Sequence, residues 1–258
     1  MLVALVVLLA MLVVAVLWFF LGRDRAEQLS QDDALADFRA AGAEPVASEG
    51  LPEAGVYEAS ASGTESIGLP GFDEDLGPSA PVTVTYGEEG CFTYRADFNS
   101  HHWRSWTFCP EQGAEFALVR LDSWTARRAP ALEVETLSTY TCEVPLAFLW
   151  SAMSPGETRS SECTGTMDTD DSVTLDDGSV EVLPSESLEV GGTELEATRI
   201  RTSDEFSGDQ SGFEHGDWWL DPETGLPLRV GIEARLEGGP TTYTESFDLR
   251  LDTLEPAT

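Results

Sequence analysis

The sequence of 258 residues contains no lysine, one asparagine and three isoleucines, and all of its 14 basic residues are arginine. Codons for the three scarce residue types are AT-rich, so their scarcity indicates a GC-rich genome. Against the 14 arginines stand 47 acidic residues, which gives a formal net charge of -33. So acidic a surface repels phosphate backbones and anionic headgroups, which excludes nucleic-acid binding. Because the chain also has 7 Trp, 5 Tyr and 12 Phe, it is not a disordered acidic chain.

Motifs for catalysis and metal binding are also missing. The nearest approach to a serine-hydrolase elbow, Gly208 to Gly212, has the wrong spacing. Acidic clusters at residues 73–75, 168–171 and 176–177 offer oxygen ligands for calcium, but none has the spacing of an EF-hand loop. With 47 acidic residues, such clusters arise by chance. The sequence therefore indicates no catalytic residue, no metal site and no cofactor.

The N-terminus carries the one long hydrophobic run. Leu2 to Leu21 is an unbroken stretch of 20 uncharged residues that ends with Trp18, Phe19 and Phe20. A helix of this length spans about 30 Å, the hydrocarbon thickness of a bilayer, and aromatic residues favour the membrane interface. No basic residue precedes the run, and no small-x-small cleavage site or lipidation cysteine follows it. We therefore expect residues 1–22 to form an uncleaved transmembrane anchor rather than a signal peptide.

The next segment, residues 23–50, has the composition of a stalk or linker. Alanines and acids between Ala26 and Ala41 surround a few apolar residues, which is typical of a short amphipathic helix. Arg23 and Arg25 alone would place the C-terminal part in the cytoplasm by the positive-inside rule. Acidic residues on the same flank and the cysteine pattern described below favour the opposite orientation.

Residues 51–258 show the pattern of an all-β domain. Short alternating runs, such as residues 82–86, 116–124 and 132–140, are separated by clusters of Gly, Pro, Asp and Ser, and no helical periodicity persists after residue 50. Gly191-Gly192 predicts a two-residue hairpin turn, and Asp221 to Gly225 predicts another turn. We therefore expect a mainly antiparallel curved sheet, as a half-barrel or a sandwich.

A predicted hairpin around Asn99 brings two cysteines together. In the register in which the residue numbers of each cross-strand pair add up to 200, Cys91 faces Cys109. On the opposite side of the hairpin, Phe92 then faces Phe108, Tyr94 faces Trp106, and Phe98 faces His102. One register thus pairs the cysteines and gathers the aromatic residues on one face, whereas a slip of one residue would scatter them. Directly opposed cysteines are close enough for a disulfide.

The other two cysteines, Cys142 and Cys163, flank a long connection and a return strand, and we expect a second disulfide between them. Neither predicted pair has the C-x-x-C spacing of zinc or thioredoxin-like sites. Two disulfides imply an oxidising compartment, so we expect the β domain to lie outside the cytoplasm.

The hairpin Trp219-Leu220-Asp221-Pro222-Glu223-Thr224-Gly225-Leu226-Pro227-Leu228-Arg229, together with the four cysteines, resembles uncharacterised membrane-anchored envelope proteins of actinobacteria. The same hairpin is also similar to a strand pair of LolA-like curved-sheet proteins. The resemblance to LolA-like proteins implies a sheet whose concave face holds an apolar ligand; it implies no catalytic residue.

Six tryptophans are candidates for a ligand groove, although such residues more often form the core of a β domain: Trp103, Trp106, Trp124, Trp150, Trp218 and Trp219. His101 and His102 lie at the predicted hairpin tip, where we expect a solvated turn rather than a metal site.

These observations favour a non-enzymatic extracytoplasmic domain, attached to the membrane by its N-terminal helix, that binds a partner protein or an apolar ligand. Two alternatives stay open. A hydrolase acting on envelope material would have a cleft with converging acids, or an acid beside His102 or His215, and a displaced pKa. A purely structural domain would bind nothing.

Overall fold

A computed structural model describes residues 25–43, 50–68, 72–87, 90–111, 114–129, 132–148, 154–169, 172–239 and 241–258. These residues form one helix and 14 strands: α1 (Gln31–Ala40), β1 (Gly55–Tyr57), β2 (Ala59–Ser66), β3 (Glu74–Asp75), β4 (Val82–Tyr86), β5 (Phe92–Asn99), β6 (His102–Glu111), β7 (Ala114–Ala129), β8 (Leu132–Phe148), β9 (Thr158–Met167), β10 (Val173–Val190), β11 (Thr193–Gly208), β12 (Ser211–Leu220), β13 (Pro227–Gly238) and β14 (Thr241–Leu251).

All of these strands belong to one antiparallel sheet with the order β1-β4-β5-β6-β7-β8-β9-β10-β11-β12-β13-β14-β2-β3. From β4 to β14 every strand pairs with its neighbour in sequence, because short turns connect successive antiparallel strands. The sheet curves into a half-barrel, which confirms the predicted all-β antiparallel class.

The curvature brings distant strands face to face. Phe98 on β5 contacts Phe247 on β14 with ring centroids 4.6 Å apart, and Trp106 on β6 meets Trp218 on β12 edge-on at 5.3 Å. The concave side therefore contains the main hydrophobic core, which includes these four residues.

The hairpin of β5 and β6 has the predicted register. Phe92 pairs with Phe108 and Tyr94 with Trp106, and the disulfide Cys91–Cys109 is present. A bulge after Asp97 shifts the last pair by one residue. The second predicted disulfide, Cys142–Cys163, joins the paired strands β8 and β9.

Both predicted turns are also found. Val190 pairs with Thr193 across the two-residue turn Gly191-Gly192, in which both glycines have positive φ. Such angles are typical of the type I′ turn that matches the twist of a hairpin. In the second turn, between β12 and β13, the amide of Gly225 donates to the carbonyl of Asp221.

The described part of the predicted stalk packs against the β domain. Helix α1 begins with a capping box between Ser30 and Asp33, and it buries Ala34 and Phe38 against Val56 of β1. Before the helix, the amide of Glu27 donates to the hydroxyl of Ser100, in the turn between β5 and β6. Residues 25–43 are therefore held along the domain.

The predicted anchor, residues 1–22, lies outside the residues that the structure describes. Within the described ranges, no helix has both the length and the apolar character needed to span a bilayer.

Candidate functional site

A cavity of about 530 Å³ lies on the concave side of the sheet, between the wall formed by β6–β9 and the wall formed by β10–β14. Its apolar lining comes mainly from both walls and includes Trp106, Leu118, Leu121, Tyr140, Leu146, Met167, Phe206, Trp218 and Leu236. Ring contacts stabilise this lining, since Tyr140 on β8 packs against Phe206 on β11 at 5.5 Å. Hydroxyl groups of Ser123, Thr125, Thr136 and Ser138 add a polar strip along β7 and β8.

The cavity reaches one end of the sheet. In an antiparallel sheet alternate turns lie at the same end, so the turns after β5, β7, β9, β11 and β13 share one end. The cavity lining includes Thr169, Gln210 and Gly239 from three of these turns. We call this end the mouth end. Because Glu27 contacts Ser100 in the turn after β5, the N-terminal segment joins the domain there as well.

A row of acidic residues crosses the concave face. Glu65 on β2 pairs directly with Glu245 on β14, and Glu214 on β12 pairs with Asp204 on β11. Ala234 on β13 separates the two pairs. Directly opposed residues of an antiparallel sheet share a face, where like charges repel each other. These carboxyl groups can therefore lie side by side only if cations neutralise them or if some of them are protonated.

Cations from the facing wall neutralise most of this row. Arg104 on β6 donates to both Glu214 and Glu245, each at a closest distance of 2.8 Å, and its side chain is only 3% exposed. His102 lies 2.7 Å from Glu245, and Arg127 on β7 lies 2.7 Å from Glu65. The ion pairs thus join strands that lie far apart in the sheet order.

The electrostatics of the paired residues follow from these contacts. Burial alone would raise the pKa of Glu245, but Arg104 and His102 lower it to about 2. Burial alone would lower the pKa of His102, but the charges of Glu65 and Glu245 outweigh it and raise the pKa. Burial raises the pKa of Glu214, although Arg104 opposes the shift.

Two carboxyl groups in the cavity wall have no such cation. Burial and the negative charges of Glu214 and Asp177 raise the pKa of Asp176 to about 7. Burial together with Asp176 and Glu214 raises the pKa of Asp204 well above its usual range, against a weaker effect of Arg104. The Oδ1 atom of Asp176 is closed off from solvent and accepts no hydrogen bond within the described part of the chain.

Gly178 on β10 makes room for the carboxyl group of Asp204. It pairs with Asp204 on one side and with Ser161 on the other. A Cβ atom at position 178 would collide with Oδ1 of Asp204 and with Oγ of Ser161. Because glycine leaves this space free, the carboxyl group of Asp204 lies over β10, toward Asp176.

The five candidate tryptophans that the structure describes lie on different faces of the sheet. Trp106 and Trp218 line the cavity. Trp103 and Trp124 pair with each other on the opposite face of β6 and β7, where their rings stack at 6.4 Å. Their strand neighbours Arg104 and Ser123 line the cavity, and successive side chains of a strand point to opposite faces.

Trp219 also faces away from Trp218, as adjacent strand residues must. Arg199 and Arg229 each lie over its ring, at 5.0 Å and 4.5 Å from the centroid. Its indole nitrogen donates to Glu186 at 3.1 Å. Trp150 lies outside the described residues.

The expectation of solvated histidines at the hairpin tip was wrong, because His101 and His102 are 1% and 0% exposed. The curved sheet covers the tip of this hairpin: Glu74 on β3 lies 3.6 Å from His101, and His102 belongs to the ion-pair network. Across the described residues, no three His, Cys, Asp or Glu side chains converge with the geometry of a metal site.

Both cysteines of the second disulfide, Cys142 and Cys163, line the cavity. From the sequence, only a structural role was expected for these two cysteines. The disulfide also fixes β8 to β9 beside the register shift that follows Cys142, so it holds this part of the cavity wall in place.

The sequence did not single out Arg104, Asp204, Glu214 and Glu245. It placed Asp176 only in an acidic cluster that was attributed to chance. A signal for some of them was present, since the predicted hairpin register already placed His102 on the aromatic face. Arg104 lies between His102 and Trp106 on that same face. A charged residue on the apolar face of a strand must be buried with a partner.

No known protein family matches this sequence, and neither a curated protein nor a solved structure matches the chain. The cavity and its charged residues are therefore the features from which a function can be inferred.

Proposed function

We propose that the protein is a non-enzymatic domain of the cell envelope, anchored to the membrane and lying outside the cytoplasm, that binds an apolar ligand in its concave cavity. The cavity itself carries this proposal. Its volume of about 530 Å³ falls within the range of roughly 300–1,000 Å³ that is typical of small-molecule sites. Its lining of Trp, Tyr, Phe, Leu and Met side chains suits a hydrocarbon chain.

Two observations support the proposed location. The disulfides Cys91–Cys109 and Cys142–Cys163 persist in oxidising compartments. The apolar run from Leu2 to Leu21 has the length of a membrane span. An anchor there would join the domain at the mouth end, because the segment that follows it contacts Ser100. A ligand drawn from the membrane would then enter the cavity by a short path.

The binding test uses a variant that fills the cavity. Ser138 lines the cavity on β8, and the side chain of its neighbour Leu137 lies on the opposite face. Ser138→Trp is expected to weaken binding of the neutral probe Nile red at least about tenfold, a loss of roughly 1.4 kcal/mol, because the indole occupies the ligand's space. Fluorescence titration gives the dissociation constants.

Leu137→Trp is the matched control, since it adds the same side chain one residue away on the outer face. Far-UV circular dichroism verifies that both variants keep the sheet. Equal affinity of Nile red for the wild type and for Ser138→Trp would contradict binding in the cavity. So would equal weakening by the two substitutions.

A hydrolase is the second candidate function, and the raised pKa of Asp176 favours it. A carboxyl group with a pKa of about 7 keeps its proton near neutral pH, as a general acid must. Glu214, held by Arg104 at 2.8 Å, would be the second carboxylate of an acid pair. Release of reducing ends from envelope polysaccharide by the wild type, and not by Asp176→Asn, would favour this function over simple binding.

A further inference from the structure

We propose that the ligand is an amphipathic amine, whose cationic headgroup lies between Asp176 and Asp204 and whose hydrocarbon chain fills the apolar part of the cavity. The inference rests on the proposed function and adds the chemical class of the headgroup.

The charge balance of the cavity wall supports a cation. Five acidic residues line the wall, Asp176, Asp204, Asp209, Glu214 and Glu245, whereas Arg104 is the only basic residue among the described residues that line it. Asp209 accepts a hydrogen bond from the backbone amide of Val173. Arg104 already donates to Glu214 and Glu245. The carboxyl groups of Asp176 and Asp204 therefore lack a cation of their own.

A separate observation points to a hydrogen-bond donor. The Oδ1 atom of Asp176 is shut off from solvent without a hydrogen-bond donor in the described part of the chain. Buried acceptors normally have a partner, because an unsatisfied one costs about 1–3 kcal/mol. A primary ammonium group supplies three donors and a positive charge in one small group. An ammonium group beside Asp176 would therefore supply both the missing positive charge and the missing hydrogen-bond donor.

The arrangement along the cavity suits an amphipathic molecule. Asp176 and Asp204 lie on β10 and β11, close to the turns of the mouth end. The aromatic pair Trp106 and Trp218 lines another part of the same cavity, together with Leu118 and Leu146. A molecule with one charged end and one apolar end matches this division. An anionic headgroup would be repelled by the acidic residues of the cavity wall.

The first test compares headgroups on one chain with the full-length wild-type protein. Dodecylammonium, dodecyl maltoside and dodecanoate share the alkyl chain and carry a cationic, a neutral and an anionic headgroup. Isothermal titration below the micelle concentration is expected to give an affinity for dodecylammonium at least about tenfold higher than for dodecyl maltoside, since a charge-assisted hydrogen bond is worth more than a neutral one. Dodecanoate is expected to bind most weakly.

The second test separates the proposed site from general attraction to an acidic protein. Asp176→Asn with Asp204→Asn is expected to remove the preference for dodecylammonium and to leave the affinity for dodecyl maltoside unchanged. Asp177→Asn with Glu205→Gln is the control. These two residues pair on the outer face of the same strands and are exposed, so the control changes the net charge equally.

Several outcomes would overturn the inference. Equal affinity for the cationic and neutral probes would refute the headgroup and leave the proposed function standing, whereas failure of all three probes to bind would refute the proposed function too. Tighter binding of dodecanoate would reverse the charge assignment. If both double variants lost the preference for dodecylammonium equally, the preference would come from general attraction of the cation to the acidic surface. The comparison of the three probes uses the wild-type protein, so it tests the inference even if a variant fails to fold.

Discussion

Asp176 and Glu245 both lie on the concave face, yet their pKa values shift in opposite directions. Glu245 faces Arg104 and His102, so its charged form is favoured and its pKa falls to about 2. Asp176 faces no cation of its own, and burial with neighbouring acids raises its pKa to about 7. The position of a carboxyl group relative to the basic residues of β6 thus decides whether its charge stabilises the fold.

Replacement of Asp176 by asparagine is expected to stabilise the protein at neutral pH. The pKa of about 7 in the folded state exceeds the ordinary value of 3.8, so the folded protein holds a proton that the unfolded chain releases. Stability therefore falls as the pH rises from about 4 to about 7. Asparagine removes this loss, and urea unfolding at pH 8 is expected to show a gain of roughly 1–3 kcal/mol.

At pH 4 the same substitution is expected to have a much smaller effect, because this pH lies close to the ordinary pKa of 3.8 and the unfolded chain then keeps part of the proton that the folded protein holds. The exposed residue Glu205 on the outer face of β11 provides the control, and Glu205→Gln is expected to change stability by less than about 0.5 kcal/mol at either pH. An equal effect of Asp176→Asn at pH 4 and pH 8 would contradict the assigned pKa.

At the scale of elements, helix α1 depends on the sheet. A helix of 10 residues is marginal in water by itself. The capping box of Ser30 and Asp33 stabilises its first turn, and Ala34 and Phe38 are buried against Val56. Arg39 also donates to the backbone carbonyl of Thr258 at 2.7 Å. Packing therefore determines whether the segment before β1 stays on the domain.

Phe38→Ala is expected to release this helix without unfolding the sheet. Loss of a buried phenylalanine costs about 3–5 kcal/mol, which exceeds the intrinsic stability of so short a helix. Hydrogen exchange followed by mass spectrometry is expected to show loss of protection in residues 31–40 and little change in β10 to β14. The exposed residue Asp37 supplies the control, Asp37→Ala. Unchanged protection in Phe38→Ala would show that the helix does not depend on this contact.

The hairpin of β5 and β6 shows how far the sequence predicted single elements. Its register followed from two patterns that agreed, the cysteine spacing and the aromatic residues of one face. The bulge after Asp97 was not predicted, because nothing in the local pattern distinguishes the two pairings of the last residues. The burial of His101 and His102 was missed for a different reason, since strands far along the chain cover them.

At the scale of the whole molecule, the net charge of -33 is unevenly distributed between two environments. Within the described ranges, most acidic residues lie on turns and outer strand positions, where their charge favours solubility and repels anionic lipid. A few lie in the interior, where they form ion pairs with Arg104 and Arg127 or hold protons. Composition alone does not distinguish the two groups, although only the second contributes to the cavity.

The covalent framework gives a prediction for the intact protein. A non-reducing digest of native material, analysed by mass spectrometry, is expected to contain two disulfide-linked peptide pairs, Cys91–Cys109 and Cys142–Cys163. Reduction before digestion should release all four peptides and serves as the control. Four free thiols in native material would contradict both the disulfides and the proposed extracytoplasmic location.

The sequence by itself determined the all-β class, most of the register of the hairpin of β5 and β6, the two disulfides and the main turns, because each depends on alternation, spacing or turn chemistry within a few tens of residues. Only the tertiary structure decided which residues form the cavity. Curvature of the sheet sets β6 against β12 and β14, so that Arg104 meets Glu214 and Glu245 from positions more than 100 residues away. Such contacts depend on the shape of the whole sheet, which no local pattern records.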